Sequence, residues 1–268
     1  MLLPRRQACP SFQKLENPAV ASFSVIIAAA GKSSRYQDDY YKKPFVPLEN
    51  RAVWLHSAEK FLNRDDVKQM ILVISAEDRE SFQDKFAANV AILGIEVVDG
   101  GATRGESVKN GIARVRDDVD FVVVHDAARP CIAEVWIDSV FAAAQQFGAA
   151  TLGIPITSSI KRVKDGAIEE TVARDSLWES QTPQVFRREL LMDAFDQATP
   201  EQLAAAADEA ELVGLHGQQV AIVTGSPLNR KITTRSDLSF AKQALKALPK
   251  PNLLGRVSHP FQDDDMWR

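Results

Sequence analysis

The sequence predicts an α/β fold, a mostly parallel sheet flanked by helices. Three observations predict it. Short, almost wholly apolar runs recur, as expected of strands buried on both faces. Segments with helical apolar spacing lie between them. The first apolar run, Phe23 to Ile27, passes into a small-residue loop, AAAGKSSR, at Ala28 to Arg35.

The elements follow in order. Phe23 to Ala28 reads as the first strand. Ala52 to Phe61 reads as a helix, with Val53, Leu55 and Phe61 among its apolar positions. Met70 to Ile74 is a second buried strand, and Arg79 to Phe86 is helical. Ile95 to Val98 is a third strand, and Glu106 to Val115 a helix. Phe121 to Val124 is a short apolar strand, followed after a loop by a helix from Glu134 to Gln146. Ala149 to Ile154 is a further strand. Alternation of this kind calls for right-handed crossovers between parallel strands.

The pattern then changes. Lys164-Asp165-Gly166 lies between short β-branched pieces from Ile160 to Ile168 and signals a hairpin. Thr171 to Trp178 returns toward the core with little periodicity. Helix resumes at Arg188 to Phe195 and near Leu203 to Val213. Val220 to Val223 is a late strand. Ser236 to Leu245 is the closing helix, with Ser236 as its N-cap. We read one domain, 22–249, with an inserted arm at about 156–176. The arm has a small core of its own and needs a second surface, such as another subunit.

Composition narrows the function. The chain has 268 residues, 45% of them hydrophobic and 25% charged, which suits a substantial core. A formal net charge of -4 argues against a protein that coats nucleic acid. Cys9 and Cys131 make neither a disulfide framework nor a metal cluster. Apolar runs are too short to span a membrane. The first residues lack the apolar core of a secretory signal, so a cytoplasmic location is expected. Residues 1–21 read as a flexible extension and 250–268, with Pro251, Pro260 and the acidic run Asp263 to Asp265, as a tail.

Chemistry concentrates in a few places. Small residues after a strand let backbone N–H groups approach a ligand, and Lys or Arg can meet its phosphates. AAAGKSSR, followed by Lys42 and Lys43, therefore suggests a nucleoside triphosphate site. It matches neither GxxxxGK[ST] nor GxGxxG, and alone it is equally a surface turn. Asp126 and Arg129, in HDAARP, follow the strand Phe121 to Val124. There a carboxylate can hold Mg²⁺ and an arginine fork a phosphate. A surface ion pair around a turn is the alternative. Gly100, Gly101, Arg104 and Ser107 form a second polar cluster, in which Ser107 either caps a helix or bonds a base edge. Arg174, Thr182-Pro183-Gln184 and Asn229-Arg230-Lys231 come later. Lys231 lies between a strand and a helix and is either in the same crevice or solvated.

Together these motifs resemble the 2-C-methyl-D-erythritol 4-phosphate cytidylyltransferases and close relatives, including the ribitol 5-phosphate cytidylyltransferases. The resemblance runs from about Val25 to Leu245. It includes GGATRGESVKNGI at 100–112, VVHDAARP at 123–130, PITSSIKRV at 155–163, DSLWESQTPQVFRRELL at 175–191, DEA at 208–210 and NRKITTRSDL at 229–238. It implies a Rossmann-like sheet of the nucleotide-diphospho-sugar transferase type. It also implies a Mg²⁺-dependent transfer of CMP from CTP to a polyol phosphate, in isoprenoid precursor biosynthesis. By position, Ala29, Ala30 and Gly31 would line the cytidine, and Ser107, with backbone near Gly101, would read the cytosine. Arg35 and Lys43 would stabilise the charge developing at the α-phosphorus. Asp126 would help place magnesium and the ribose or acceptor. Arg129 and Lys231 would hold the acceptor's phosphate. Ser159 and Arg174 would approach the acceptor from a neighbouring subunit's arm, making the active form a homodimer with arm exchange.

The chain departs from the family pattern in three places. Ser33 stands where a second glycine is usual, and Ser158 where an aspartate is usual. Lys42 and Lys43 precede Pro44, whereas proline more often precedes a single lysine.

Overall fold

The computed structural model describes residues 21–31 and 43–250. Apart from Ala21 and Lys250, the expected extension and tail lie outside them, as do Ser33, Arg35 and Lys42. The fold is the predicted α/β sheet with helices on both faces. In chain order the elements are β1 (Phe23–Ala28), a 3₁₀ turn (Lys43–Phe45), β2 (Pro47–Leu48), β3 (Arg51–Ala52), α1 (Val53–Leu62), β4 (Val67–Ile74), α2 (Arg79–Leu93), β5 (Glu96–Asp99), α3 (Arg104–Ile112), β6 (Phe121–Asp126) and α4 (Glu134–Phe147). Then follow β7 (Ala149–Pro155), β8 (Ile160–Lys164), β9 (Ala167–Val172), β10 (Trp178–Arg187), α5 (Arg188–Gln197), α6 (Pro200–Ala205), α7 (Glu209–Leu215), β11 (Ala221–Thr224) and α8 (Arg235–Ala247).

Seven strands form the central sheet in the order β11-β7-β10-β6-β1-β4-β5. β10 runs antiparallel to β6 and β7, and the other pairings are parallel. Alternation along β1 explains the two-sided burial. Val25 and Ile27 pack with Trp54 and Phe61 of α1 and with α4. Ile26 faces Val108 and Ile112 of α3 on the other side. β1 lies between β4 and β6, so the chain leaves it in opposite directions. Loops diverge at such a point and leave a crevice beyond the strands' carboxyl ends.

Three readings need correction. The segment up to Arg187 holds a ten-residue strand, β10, that the sequence did not signal. Pro183 and the polar Gln181 and Gln184 argue against a central strand. The strand accommodates them because its pairing with β7 shifts between Ser180 and Gln184. The region near 203–213 is two helices, α6 and α7, each with its own N-cap, Thr199 and Asp208. Thr234, not Ser236, caps α8: its hydroxyl accepts from Asp237 N, and the Asp237 carboxylate accepts from Thr234 N at 2.9 Å. In addition, α2 runs seven residues beyond the predicted Phe86.

The arm is present as β8 and β9, paired only with each other in a two-stranded sheet. Asp165 and Gly166 both have positive φ, as the Asp-Gly hairpin signal requires. Val163 and Ile168 are 59% and 65% exposed, so no surface among the described residues covers these apolar side chains of the arm. Among the described residues, no helix is long and apolar enough to cross a membrane.

Candidate active site

The crevice is built where β1, β6 and the β5–α3 turn meet. Ala29 is buried at the end of β1, and its N–H donates to Val73 O at 2.8 Å. A Cβ on Gly100 would lie 2.5 Å from Ala30 Cβ and 2.8 Å from Ser107 Oγ. Only glycine allows the loops after β1 and β5 to touch here. A Cβ on Gly31, by contrast, would meet no atom of the described residues within 4 Å. Ala30, Gly100, Gly101 and Ser107 thus come together, with Ala29 and Gly31 on either side of Ala30 in the chain.

Ser107 does not cap the helix. Thr103 does, in a capping box with Glu106. The buried Ser107 hydroxyl donates to Thr103 O at 2.8 Å and accepts from Gly101 N at 3.1 Å. It fixes the glycine turn, and one oxygen lone pair remains for a ligand. Lys43 opens the short 3₁₀ turn that leads into buried Phe45.

Asp126 is the last residue of β6 and is 6% exposed. Its Oδ2 meets Lys231 Nζ at 2.8 Å and Arg129 Nε at 3.4 Å, and its Oδ1 lies 3.6 Å from Arg104 Nη2. Three elements therefore deliver cations to one carboxylate. Burial pushes the Asp126 pKa up, but Lys231, Arg104 and Arg129 outweigh it and hold the carboxyl well below the usual carboxylate range. This is no surface pair around a turn. Lys231 is half-buried against Asp126, which removes the solvated-lysine alternative.

Arg129 is committed to the protein more fully than its motif suggested. Nη1 donates to Asn229 O at 2.8 Å and Nη2 to Ser180 O at 3.3 Å. It braces β6, β10 and the loop before α8. Arg104, which the sequence placed only in a polar cluster, grips the buried carboxylate of Glu209 with both Nη atoms, at 2.5 and 3.1 Å. Asp208 accepts from Ser180 Oγ and Gln184 Nε2 at 2.8 and 2.9 Å. Sequence reading missed Glu209 and Asp208 as site supports. The DEA motif was the available signal.

Ser159 and Arg174 lie on the exposed arm, where Arg174 donates to Thr157 O. No hydrogen bond or ion pair of the described residues joins either to Asp126, Arg129 or Lys231. The described residues of one chain do not bring them to the crevice.

His125 is wholly buried beside Phe61, and burial lowers its pKa to about 4, opposed by Asp126 and the Arg129 carbonyl. Its ordinary value is 6.5, so the unfolded chain takes up the proton first as pH falls. The stability contributed by neutral His125 is full above about pH 6.5 and is lost as pH falls toward about 4, a loss of about 3 kcal/mol. Burial also lowers the pKa of His56, which adds to the same slope. Urea midpoints at pH 8, 6 and 5 should therefore decline, and His125→Asn should flatten the decline. Equal midpoints for the parent protein across this range would contradict the buried neutral imidazole.

A small-residue turn beside a buried, cation-ringed carboxylate, both at the carboxyl ends of a doubly wound sheet, defines an α/β protein built to hold polyanionic ligands. The model of the family IspD, 2-C-methyl-D-erythritol 4-phosphate cytidylyltransferase, matches residues 23–247. The chain belongs to that family. It is 36% identical over 225 residues to the 2-C-methyl-D-erythritol 4-phosphate cytidylyltransferase of Bacillus pumilus, covering 84% of this chain and 97% of that protein. Its identity to the Clostridioides difficile protein of the same name is 33% over 223 residues, covering 83% and 93%. Among solved structures, the Thermus thermophilus enzyme of that name superposes with a TM-score of 0.69 at 29% identity, covering 83% of this chain and 98% of that one.

Proposed function

We propose that this chain is a CTP-dependent 2-C-methyl-D-erythritol 4-phosphate cytidylyltransferase of isoprenoid precursor biosynthesis. The observation that carries the reading is the Asp126 carboxylate, ringed by Lys231, Arg129 and Arg104 beside the glycine turn, in a chain of that family.

A phosphate oxygen of the acceptor attacks the α-phosphorus of CTP. The new O–P bond forms as the bond to pyrophosphate breaks. The attacking phosphate is largely dianionic near neutral pH, with a second pKa of roughly 6, so no strong base is needed. The demand is for positive charge and fixed geometry between two anions. Arg35 and Lys43 are assigned to the charge at the α-phosphorus. Lys231, half-exposed over Asp126, is assigned to the acceptor's phosphate, with Arg129 bracing the carboxylate from behind.

Among the described residues, no group of three His, Cys, Asp or Glu side chains gathers to hold a metal. Asp126 already faces three cations, so a Mg²⁺ here would take most of its ligands from the nucleotide's phosphates and water. Asp126 is the side chain assigned to meet it, and the ion would supply charge neutralisation for the triphosphate. The bare apolar flank of the arm supports a homodimer in which Ser159 and Arg174 serve the partner's acceptor site. Charged, water-borne substrates support a cytoplasmic reaction.

The donor assignment has a direct test. Initial rates of pyrophosphate release should be much higher with CTP than with UTP, ATP or GTP at equal concentration and excess Mg²⁺. Comparable rates with a purine triphosphate would remove the cytidylyl assignment.

A further inference from the structure

Among the described residues, Glu49, Asn50, Asp165 and Ser176 hold a left-handed backbone without being glycine. Three of them have an evident reason. Glu49 and Asn50 are the two-residue turn between β2 and β3, and Asp165 opens the two-residue turn between β8 and β9. Hairpin turns of this kind demand positive φ. Ser176, at φ 64°, closes no hairpin. It is exposed, so packing by the described residues does not force it into this conformation. A left-handed backbone is unfavourable for such a residue, and outliers of this kind collect at functional sites.

Ser176 stands at the neck of the arm. The two legs leave the central sheet after the pair Pro155↔Trp178. Beyond that pair, Ile156 N donates to Leu177 O at 3.0 Å. Leu177 N donates to Arg174 O at 2.9 Å, so residues 174–177 form a turn with Ser176 in its third place. A left-handed third residue marks a type II turn, where glycine or asparagine is usual. The Arg174 side chain crosses to the opposite leg and donates to Thr157 O. A guanidinium has five N–H donors, so this bond orients the group and leaves others for a ligand.

Ser158 and Ser159 on one leg, and Ala173 on the other, separate this neck from the first hairpin pair, Ile160↔Val172. β8 and β9 make no strand pairing outside themselves. The direction of the arm is therefore set at the neck, where the left-handed turn is the costly feature.

We propose that Ser176 is a positioning residue. Its left-handed turn fixes the neck of the arm and sets where Arg174 meets a partner subunit's acceptor site, with no contact of its own to substrate. This inference rests on the shared-site reading given above. Glycine takes a left-handed backbone freely, whereas a β-branched residue there is a severe outlier. Ser176→Val should therefore flip the turn and move Arg174, and Ser176→Gly should keep both in place. With Mg-CTP and 2-C-methyl-D-erythritol 4-phosphate, Ser176→Val should lower kcat/KM for the acceptor by about tenfold to a hundredfold. That is the scale of a misplaced group at a reacting centre. KM for CTP should stay, and Ser176→Gly should retain near-parental rates. Should the valine variant not fold, Ser176→Thr takes its place, since it adds the branch and keeps the hydroxyl. A rate lost with threonine and kept with glycine assigns the effect to the backbone. The reverse pattern assigns it to the hydroxyl and overturns the proposal.

Mixed dimers separate this role from a merely structural one. Lys231→Ala removes a group of the receiving site, and Arg174→Ala removes a group of the donated arm. Ser176→Val should behave as an arm defect. Confirmed mixed dimers of Ser176→Val with Lys231→Ala should recover activity, and those with Arg174→Ala should not. Recovery with Arg174→Ala would place the damage in the variant's own site and overturn the proposal, as would unchanged acceptor kinetics in folded Ser176→Val. If Arg174→Ala and Lys231→Ala do not complement one another, or the parent protein turns over no acceptor, the earlier reading fails instead. Hydrogen exchange at the Leu177 amide, which the turn bonds to Arg174 O, then decides. Faster exchange with valine and protection with glycine support the role of Ser176 at the neck, and equal exchange in all three proteins refutes it.

Discussion

Asp126→Asn is expected to lower turnover by about 10²–10³-fold, on the scale of other preorganised charged or hydrogen-bonding groups in active sites. The substitution keeps the volume and most hydrogen bonds but removes the charge that Lys231, Arg129 and Arg104 share. Those cations then repel one another in a largely buried space. Removing one partner of a buried ion pair typically costs about 3–5 kcal/mol, and the half-exposure of Lys231 reduces this to roughly 2–3 kcal/mol. Stability at pH 7 should therefore fall along with activity, and the Mg²⁺ dependence of the rate should weaken. Chemical denaturation and a magnesium titration of initial rate measure the two effects. A folded variant with parental rate and magnesium dependence would take Asp126 out of the reaction.

The second large effect concerns the arm. Arg174→Ala and Lys231→Ala should each abolish most activity as purified homodimers. Mixed and allowed to exchange, they should recover activity. Arg174 from one subunit and Lys231 from the other then complete one site free of both substitutions, while the second site of that dimer carries both. At equal mixing, half the dimers are mixed and each has one intact site, so recovery should approach about a quarter of the parental rate. The exposed Val163 and Ile168 motivate the test, because no surface among the described residues buries them. Subunit exchange must be shown first, by mass or by energy transfer between labelled copies. Confirmed mixed dimers without recovered activity would exclude a shared site.

Much of this was legible in the sequence because the informative signals are local. β1, β6 and the Asp-Gly hairpin each announce themselves within a few residues. What escaped was non-local. β10 reads as a loop because its middle is polar and carries Pro183, and these residues are buried only because distant partners satisfy them. Gln184 bonds Asp208 and the Ala210 N–H, and Thr182 bonds His125 and Asn229. Glu209 was equally hidden: a carboxylate in a helix's first turn is ordinarily solvated, and its pairing with Arg104 spans 105 residues. Propensity reports what a residue prefers alone. The polar residues that build this crevice depend on neighbours that only the completed fold supplies.

The transfer itself is measured from its two products. Purified protein should be incubated with Mg²⁺, CTP and either 2-C-methyl-D-erythritol 4-phosphate or ribitol 5-phosphate, with pyrophosphate and the CDP-linked product both quantified. The expected result is one pyrophosphate per CDP-2-C-methyl-D-erythritol formed, and a kcat/KM for 2-C-methyl-D-erythritol 4-phosphate well above that for ribitol 5-phosphate. Preference for ribitol 5-phosphate, or nucleotide binding without turnover of either acceptor, would contradict it.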